Sequence, residues 1–132
     1  MEHALLKKPI VAVLLAIYLA FIADITLLHF QGEPGVNLAP FRAIAHDVKE
    51  GGRNFVVNIL GNLVVFLPLG FAIPVLGGRA TRAWHVAVAG ALLSAGVELA
   101  QYGLGRRVAD IDDVFMNTTG SVVGYAISRL RR

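Results

Sequence analysis

The chain contains no cysteine, which excludes disulfides, thiol catalysis and zinc–thiolate centres. Charge is scarce as well. Asp, Glu, Lys and Arg make up 16 % of the residues, where an ordinary domain has about 25 %. Hydrophobic residues make up 56 %, above the roughly 45–50 % of soluble domains. A chain of 132 residues, one domain in length, cannot hide that much apolar surface in a soluble core. Its mean hydropathy of +0.66 points to a bilayer as the solvent. The net charge of +3 and the pI near 9.7 are compatible with nucleic acid. However, the Lys and Arg residues stand at the edges of apolar runs, as in membrane proteins. No basic stripe with interleaved aromatics is present, so nucleic acid is excluded as a partner. There are no repeats or low-complexity tracts, the histidines lack metal-ligand spacing, and no nucleophile stands out.

What is present is four apolar segments, at 10–30, 55–76, 84–104 and 111–130, the last shorter and more polar. A helix needs about 20 residues at 1.5 Å each to cross a ~30 Å hydrocarbon core, and each segment comes close. In lipid the backbone must be satisfied within the segment, so the expected fold is all-α: a single domain over 1–132 with four transmembrane helices. The first segment follows Lys7, Lys8 and Pro9. It is longer than a usual signal core, and no A-x-A site follows, Ala20 and Ala23 being wrongly spaced. It therefore reads as an uncleaved anchor. Pro68 and Pro74 predict a bend and an end in the second segment, before the Gly77-Gly78 turn. Between the first two spans, PFRAIAHDVKEGG places Phe41, Ile44 and Val48 on one side of a short helix running from Pro40 to Gly51-Gly52. Either this helix lies at the membrane surface or the stretch is an irregular loop.

Both termini of a four-span chain share one side. That side carries seven Lys and Arg and the opposite side five, which favours cytoplasmic termini.

Against this background ELAQYGLGRRVADIDDVFMNTTG, residues 98–120, stands out. Gly90, Ser94, Glu98 and Gln101 step by four, four and three along one helical face. Asp113, Asn117, Gly120 and Gly124 share a face of the fourth segment, and Asn58 and Asn62 one of the second. The cost of polar groups in lipid turns all three stripes inward. A carboxylate at mid-membrane costs about 3 kcal/mol or more, so Glu98 must be paired or protonated. Two accounts of the cluster stand side by side. In one, Arg106 and Arg107 anchor a helix end at headgroup level, the aspartates cap the next helix, and the amides join helices. In the other, Glu98, Arg107, Asp110, Asp112 and Asp113 line an outward-facing polar pocket, supported by Asn58, Asn62, Gln101 and Asn117. Three aspartates within four positions, with Glu98 and an arginine, exceed what a cap needs. Arg107 suits the phosphate or carboxylate of an envelope lipid or glycopeptide. A membrane hydrolase or transferase is the enzymatic alternative, with Glu98, Asp110, Asp112 and Asp113 as candidate catalytic groups. Oxygen ligands suit a hard divalent ion, but D-x-D-D is too short a pattern to assign one, and no metal or cofactor is expected. A purely structural membrane scaffold is the third reading. Asp24, a further carboxylate two turns from the end of its segment, either joins the cluster or reaches the interface with His29. Gly120-x-x-x-Gly124 permits close helix approach within the chain or between chains, and Asn117-Thr118-Thr119 lies within a span, so it is no glycosylation site.

Taken in order, these residues resemble a known family. N-x-x-x-N-x-x-x-F-x-P-x-G is formed by Asn58, Asn62, Phe66, Pro68 and Gly70. E-x-x-Q follows at Glu98 and Gln101, R-x-x-D-x-D-D at Arg107 to Asp113, N-T-x-G at Asn117 to Gly120, and N-L-A-P-F stands at 37–41. The chain resembles the VanZ-like family of small bacterial membrane proteins over nearly its whole length; Asp24 has no place in the pattern. The resemblance implies a multi-pass protein of the bacterial cytoplasmic membrane. The family's founding member is associated with resistance to teicoplanin, an antibiotic that acts on cell-wall precursors at the outer face. A lipid-linked cell-wall precursor or a glycopeptide is therefore the implied ligand, alongside membrane lipids. The resemblance implies no particular reaction.

Overall fold

The computed structural model describes residues 2–29 and 32–130, with side chains from residue 7 onward. Phe30, which ends the first apolar segment, and Arg131 and Arg132 of the charge count lie outside the described residues. The chain is all-α in architecture. Helix α1 spans Glu2–Asp24 and widens into a π-helical turn over Ile25–His29. A three-residue strand β1, Gly35–Asn37, precedes the short helix α2, Arg42–Glu50. Helix α3 runs over Gly52–Ala80 and α4 over Ala83–Gly103. Strand β2, Val108–Asp110, leads directly into α5, Ile111–Leu130.

Helix α1 begins well before the apolar run, because Ala4, Leu5, Leu6, Lys7 and Lys8 are strong helix formers that an apolar count passes over. Helix α3 continues through Pro68 and Pro74 to Gly77, three residues beyond the end expected around Pro74. Each ring removes one donor but holds φ in the helical range, and apolar surroundings offer the backbone no better partner than the helix. Gly78, at φ +73°, ends the α-helical part, and a 3-10 turn over Gly78–Ala80 completes the element. The stretch at 40–52 is a helix and no irregular loop, ended at Gly51 with φ +64°.

Among the described residues, three helices are long and apolar enough to cross a membrane: Lys7–His29, Gly52–Ala80 and Ala83–Gly103. Their outer surfaces fit a bilayer, with Ile10, Val13, Leu14, Ile17, Val64, Leu92 and Leu99 all more than half exposed. Helix α5, with Asp112 and Asp113 in its first turn, does not reach that apolarity. It is held instead by close packing. A Cβ at Gly120 or Gly124 would strike the backbone of Leu63 or Leu67, and one at Gly70 the backbone of Ser121 and Tyr125. The Gly120-x-x-x-Gly124 pair therefore serves the α3–α5 seam within the chain. Opposite it, Ser121 packs against Gly90 of α4.

Helix α1 joins through Ile22, which meets Phe66 and Leu69 in the core, and through Tyr18, whose hydroxyl donates to the Val65 carbonyl at 2.7 Å. Gln101 Nε2 donates to Thr26 O at 2.7 Å and an Arg106 guanidinium nitrogen to Leu27 O at 3.1 Å, placing the end of α4 beside the end of α1. At the other end of the bundle, Arg129 of α5 donates to Thr81 O in the α3–α4 turn. The described part of the connection between α1 and α3, residues 32–51, and the 104–110 turn thus meet at the end of the bundle remote from the 78–82 turn. They are tied there by a parallel β1–β2 pairing with Gly35 opposite Val108 and Asn37 opposite Asp110, an element absent from the helical reading of the sequence.

Candidate functional site

The site is built on the start of α5. Asp110 immediately precedes this helix and acts as its N-cap, with Oδ1 accepting the Asp112 N–H at 2.9 Å. Its other oxygen accepts from Asn37 Nδ2 at 3.1 Å, across the β1–β2 pair. Asp112 is buried and turns away from its own helix. Its Oδ1 accepts the Phe41 N–H at 2.6 Å, and its Oδ2 accepts those of Ala43 and Ile44 at 2.9 and 3.1 Å. These are orphan donors of the first turn of α2, so Asp112 supplies the cap that Phe41 cannot. Phe41 itself sits at φ +62°, in the left-handed region that side chains with a Cβ avoid, and its ring meets Phe115 edge-on at 5.4 Å.

Asp113 has a different set of partners from Asp112. Its Oδ1 accepts from Asn62 Nδ2 at 2.9 Å and its Oδ2 from an Arg107 guanidinium nitrogen at 3.3 Å. Asn58, one turn before Asn62, donates to Asp47 Oδ2 at 3.1 Å, and His46 Nδ1 lies 3.5 Å from Asp47 Oδ1. Together these groups enclose a polar cavity of about 280 Å³, lined by Ala43, His46, Asp47, Asn58, Arg107, Val108, Asp110 and Asp113.

Four of the residues expected in the pocket therefore line it: Arg107, Asp110, Asp113 and Asn58. Asn62 stands behind Asp113 as its hydrogen-bond partner. The remaining candidates are placed elsewhere. Glu98, buried on α4, accepts the Asp110 N–H at 2.9 Å, and its side chain opens on a mainly apolar recess with Val36, Leu38, Leu99 and Tyr102. Asp112 has both oxygens occupied by backbone donors. Gln101 serves the α1–α4 contact, and Asn117 Nδ2 donates to Ser94 Oγ at 2.8 Å in the α4–α5 seam. The other amide atom of each, Gln101 Oε1 and Asn117 Oδ1, is buried without a partner among the described residues. Asp24 does not join the cluster. Its carboxylate lies 3.4 Å from His29 Nδ1, both side chains more than half exposed at the end of α1.

Asp47 and His46 are not among the candidates read from the sequence, and Asn37 figures only as the first residue of N-L-A-P-F. The apolar stripe of Phe41, Ile44 and Val48 drew attention to one side of α2, whereas Ala43 and Asp47, four residues apart, form the side that faces the cavity. Asp110, Asp112 and Asp113 diverge to three different partners. No group of three His, Asp or Glu among the described residues is placed to hold a metal ion.

No curated protein and no solved structure matches the chain. The sequence profile of VanZ/LLP1 matches residues 10–132, which includes every residue of the cavity and of the network behind it. With nearly its whole length covered, the chain belongs to the VanZ/LLP1 family.

Proposed function

We propose that this is a four-span protein of the bacterial cytoplasmic membrane whose cavity faces outward and holds the polar group of a cell-envelope lipid or glycopeptide. The observation that carries the reading is Arg107, a half-buried guanidinium in the wall of a polar cavity at one end of an otherwise apolar bundle. Arg107 offers a planar fork of donors suited to phosphate or carboxylate, and its pairing with Asp113 pre-orients that fork before a ligand arrives. Asp47, Asp110 and Asp113 outnumber the cations of the cavity, so the ligand must also bring donors, such as the hydroxyls or amines of a sugar. Sugar-bearing envelope lipids and glycopeptides carry both kinds of group.

Helix α5 is the fourth span in this account. Its polar positions Asn117 and Ser121 are buried against α4 and α3, so lipid meets mainly Phe115, Val123 and Leu130. The charge count of seven to five favours termini in the cytoplasm, which puts the cavity outside in this reading.

The test uses the chain reconstituted in lipid nanodiscs and offered a polyprenyl pyrophosphate or the corresponding polyprenol. Binding of the pyrophosphate alone, weakened about tenfold or more in Arg107→Ala at unchanged helix content, is the expected result. Equal binding of the alcohol, or unchanged binding by Arg107→Ala, overturns the proposal.

A further inference from the structure

A second cavity lies on the lipid-facing side of the bundle, beyond the reach of the polar pocket. It is an open groove of about 690 Å³ between α1 and α3, in the size range of ligand sites, and almost wholly apolar. From α1 it takes Val11, Leu14, Leu15 and Tyr18, spaced as one helical stripe. From α3 it takes a stripe running from Val64 to Val75. Eleven residues of helix rise about 16 Å, close to the ~15 Å of one leaflet. The groove is therefore one acyl chain long.

Its mouth is cationic. Lys7 and Lys8 stand four and three residues before Val11, continuing the α1 stripe by one turn toward the terminal end. Arg79 lies in the 3-10 turn Gly78–Ala80 that closes α3, at the same end of the groove. All three are exposed, and none of their side chains has a hydrogen-bonding or ionic partner among the described residues. An acyl-length apolar trough below three unpaired cations matches the amphipathic shape of one molecule class. We propose that the α1–α3 groove is a binding site for an anionic phospholipid of the bilayer, one acyl chain lying along Tyr18, Pro68 and Phe71 and the phosphate held by Lys7, Lys8 and Arg79.

A second copy of the chain fits less well. Two copies related by an axis along the membrane normal would bring the same cationic mouths together, and two concave troughs leave each other unfilled.

The test is native mass spectrometry of the protein released from vesicles of equimolar phosphatidylglycerol and phosphatidylcholine. The expected result is one phosphatidylglycerol retained per chain, preferred roughly tenfold or more over phosphatidylcholine. The triple variant Lys7→Gln, Lys8→Gln, Arg79→Gln loses that preference. Val64→Trp, which fills the trough from an exposed position, loses retention of both lipids while the helix content is kept. Equal retention of the two lipids by the native protein overturns the assignment. So does unchanged retention by Val64→Trp, or a dimer whose cysteine cross-link at Val64→Cys replaces the bound lipid.

Discussion

Asp112 and Phe41 lie 71 positions apart, and the Asp112 carboxylate accepts the Phe41 N–H at 2.6 Å. This bond, with those from Ala43 and Ile44, fixes where α2 begins and how Asp47 and His46 are presented to the cavity. Asp112, one of four acidic residues read from the sequence as candidate catalytic groups, thus has the geometry of a helix cap supplied from a distance.

Replacing it tests that role. Asp112→Ala removes the acceptor of three N–H groups and is expected to cost about 1–3 kcal/mol, since orphaned partly buried donors remain. Amide hydrogen exchange should rise specifically over residues 41–48 while the α3–α5 seam stays protected. Uniform loosening of the bundle, or no change at 41–48, would contradict the cap.

The glycine positions make a paired prediction. Gly124→Ala forces a Cβ into the backbone of Leu67 and should destabilise the bundle by about 1–3 kcal/mol through strain across the seam. Gly96→Ala sits on a helix with open space around it and should be neutral or stabilising by up to about 1 kcal/mol. Thermal unfolding in detergent separates the two, and equal effects would refute the packing described.

Glu98 tests the link between α4 and the site. Glu98→Gln keeps an amide oxygen for the Asp110 N–H and is expected to preserve the thermal midpoint, whereas Glu98→Ala should lose about 1–3 kcal/mol. If Glu98 also reaches the ligand, Glu98→Gln lowers binding at intact stability. If it only positions Asp110, binding of the same nanodisc sample is unaltered.

Much of this was legible in the sequence. Helical periodicity placed Gly90, Ser94, Glu98 and Gln101 on one inward face, and all four are buried. Asn58 and Asn62, four residues apart, do share a side of α3, Asn62 meeting Asp113 of the cluster and Asn58 meeting Asp47 of α2. What pattern could not carry was the assignment of each carboxylate to its partner. Asp112 and Asp113 are adjacent, yet a helix sends neighbours about 100° apart, one to α2 and the other to Arg107 and Asn62. The β1–β2 pair, three residues long and held by chain segments more than seventy positions apart, leaves no periodic trace. Asp47 was hidden for a related reason, since on so short a helix the apolar stripe outweighs one inward acid.

The account rests on the cavity opening at the outer face, and the absence of native cysteine makes this directly measurable. A cysteine at Gly105, in the 104–110 turn, would be strained by the φ of +62° there, so the exposed Lys49 of α2 is the better position, with Ala80 at the opposite end as its counterpart. Single variants Lys49→Cys and Ala80→Cys are treated with a membrane-impermeant maleimide, in intact cells and after lysis. The account predicts labelling of Lys49→Cys in intact cells and of Ala80→Cys only after lysis; the reverse pattern would turn the cavity toward the cytoplasm and contradict an envelope ligand.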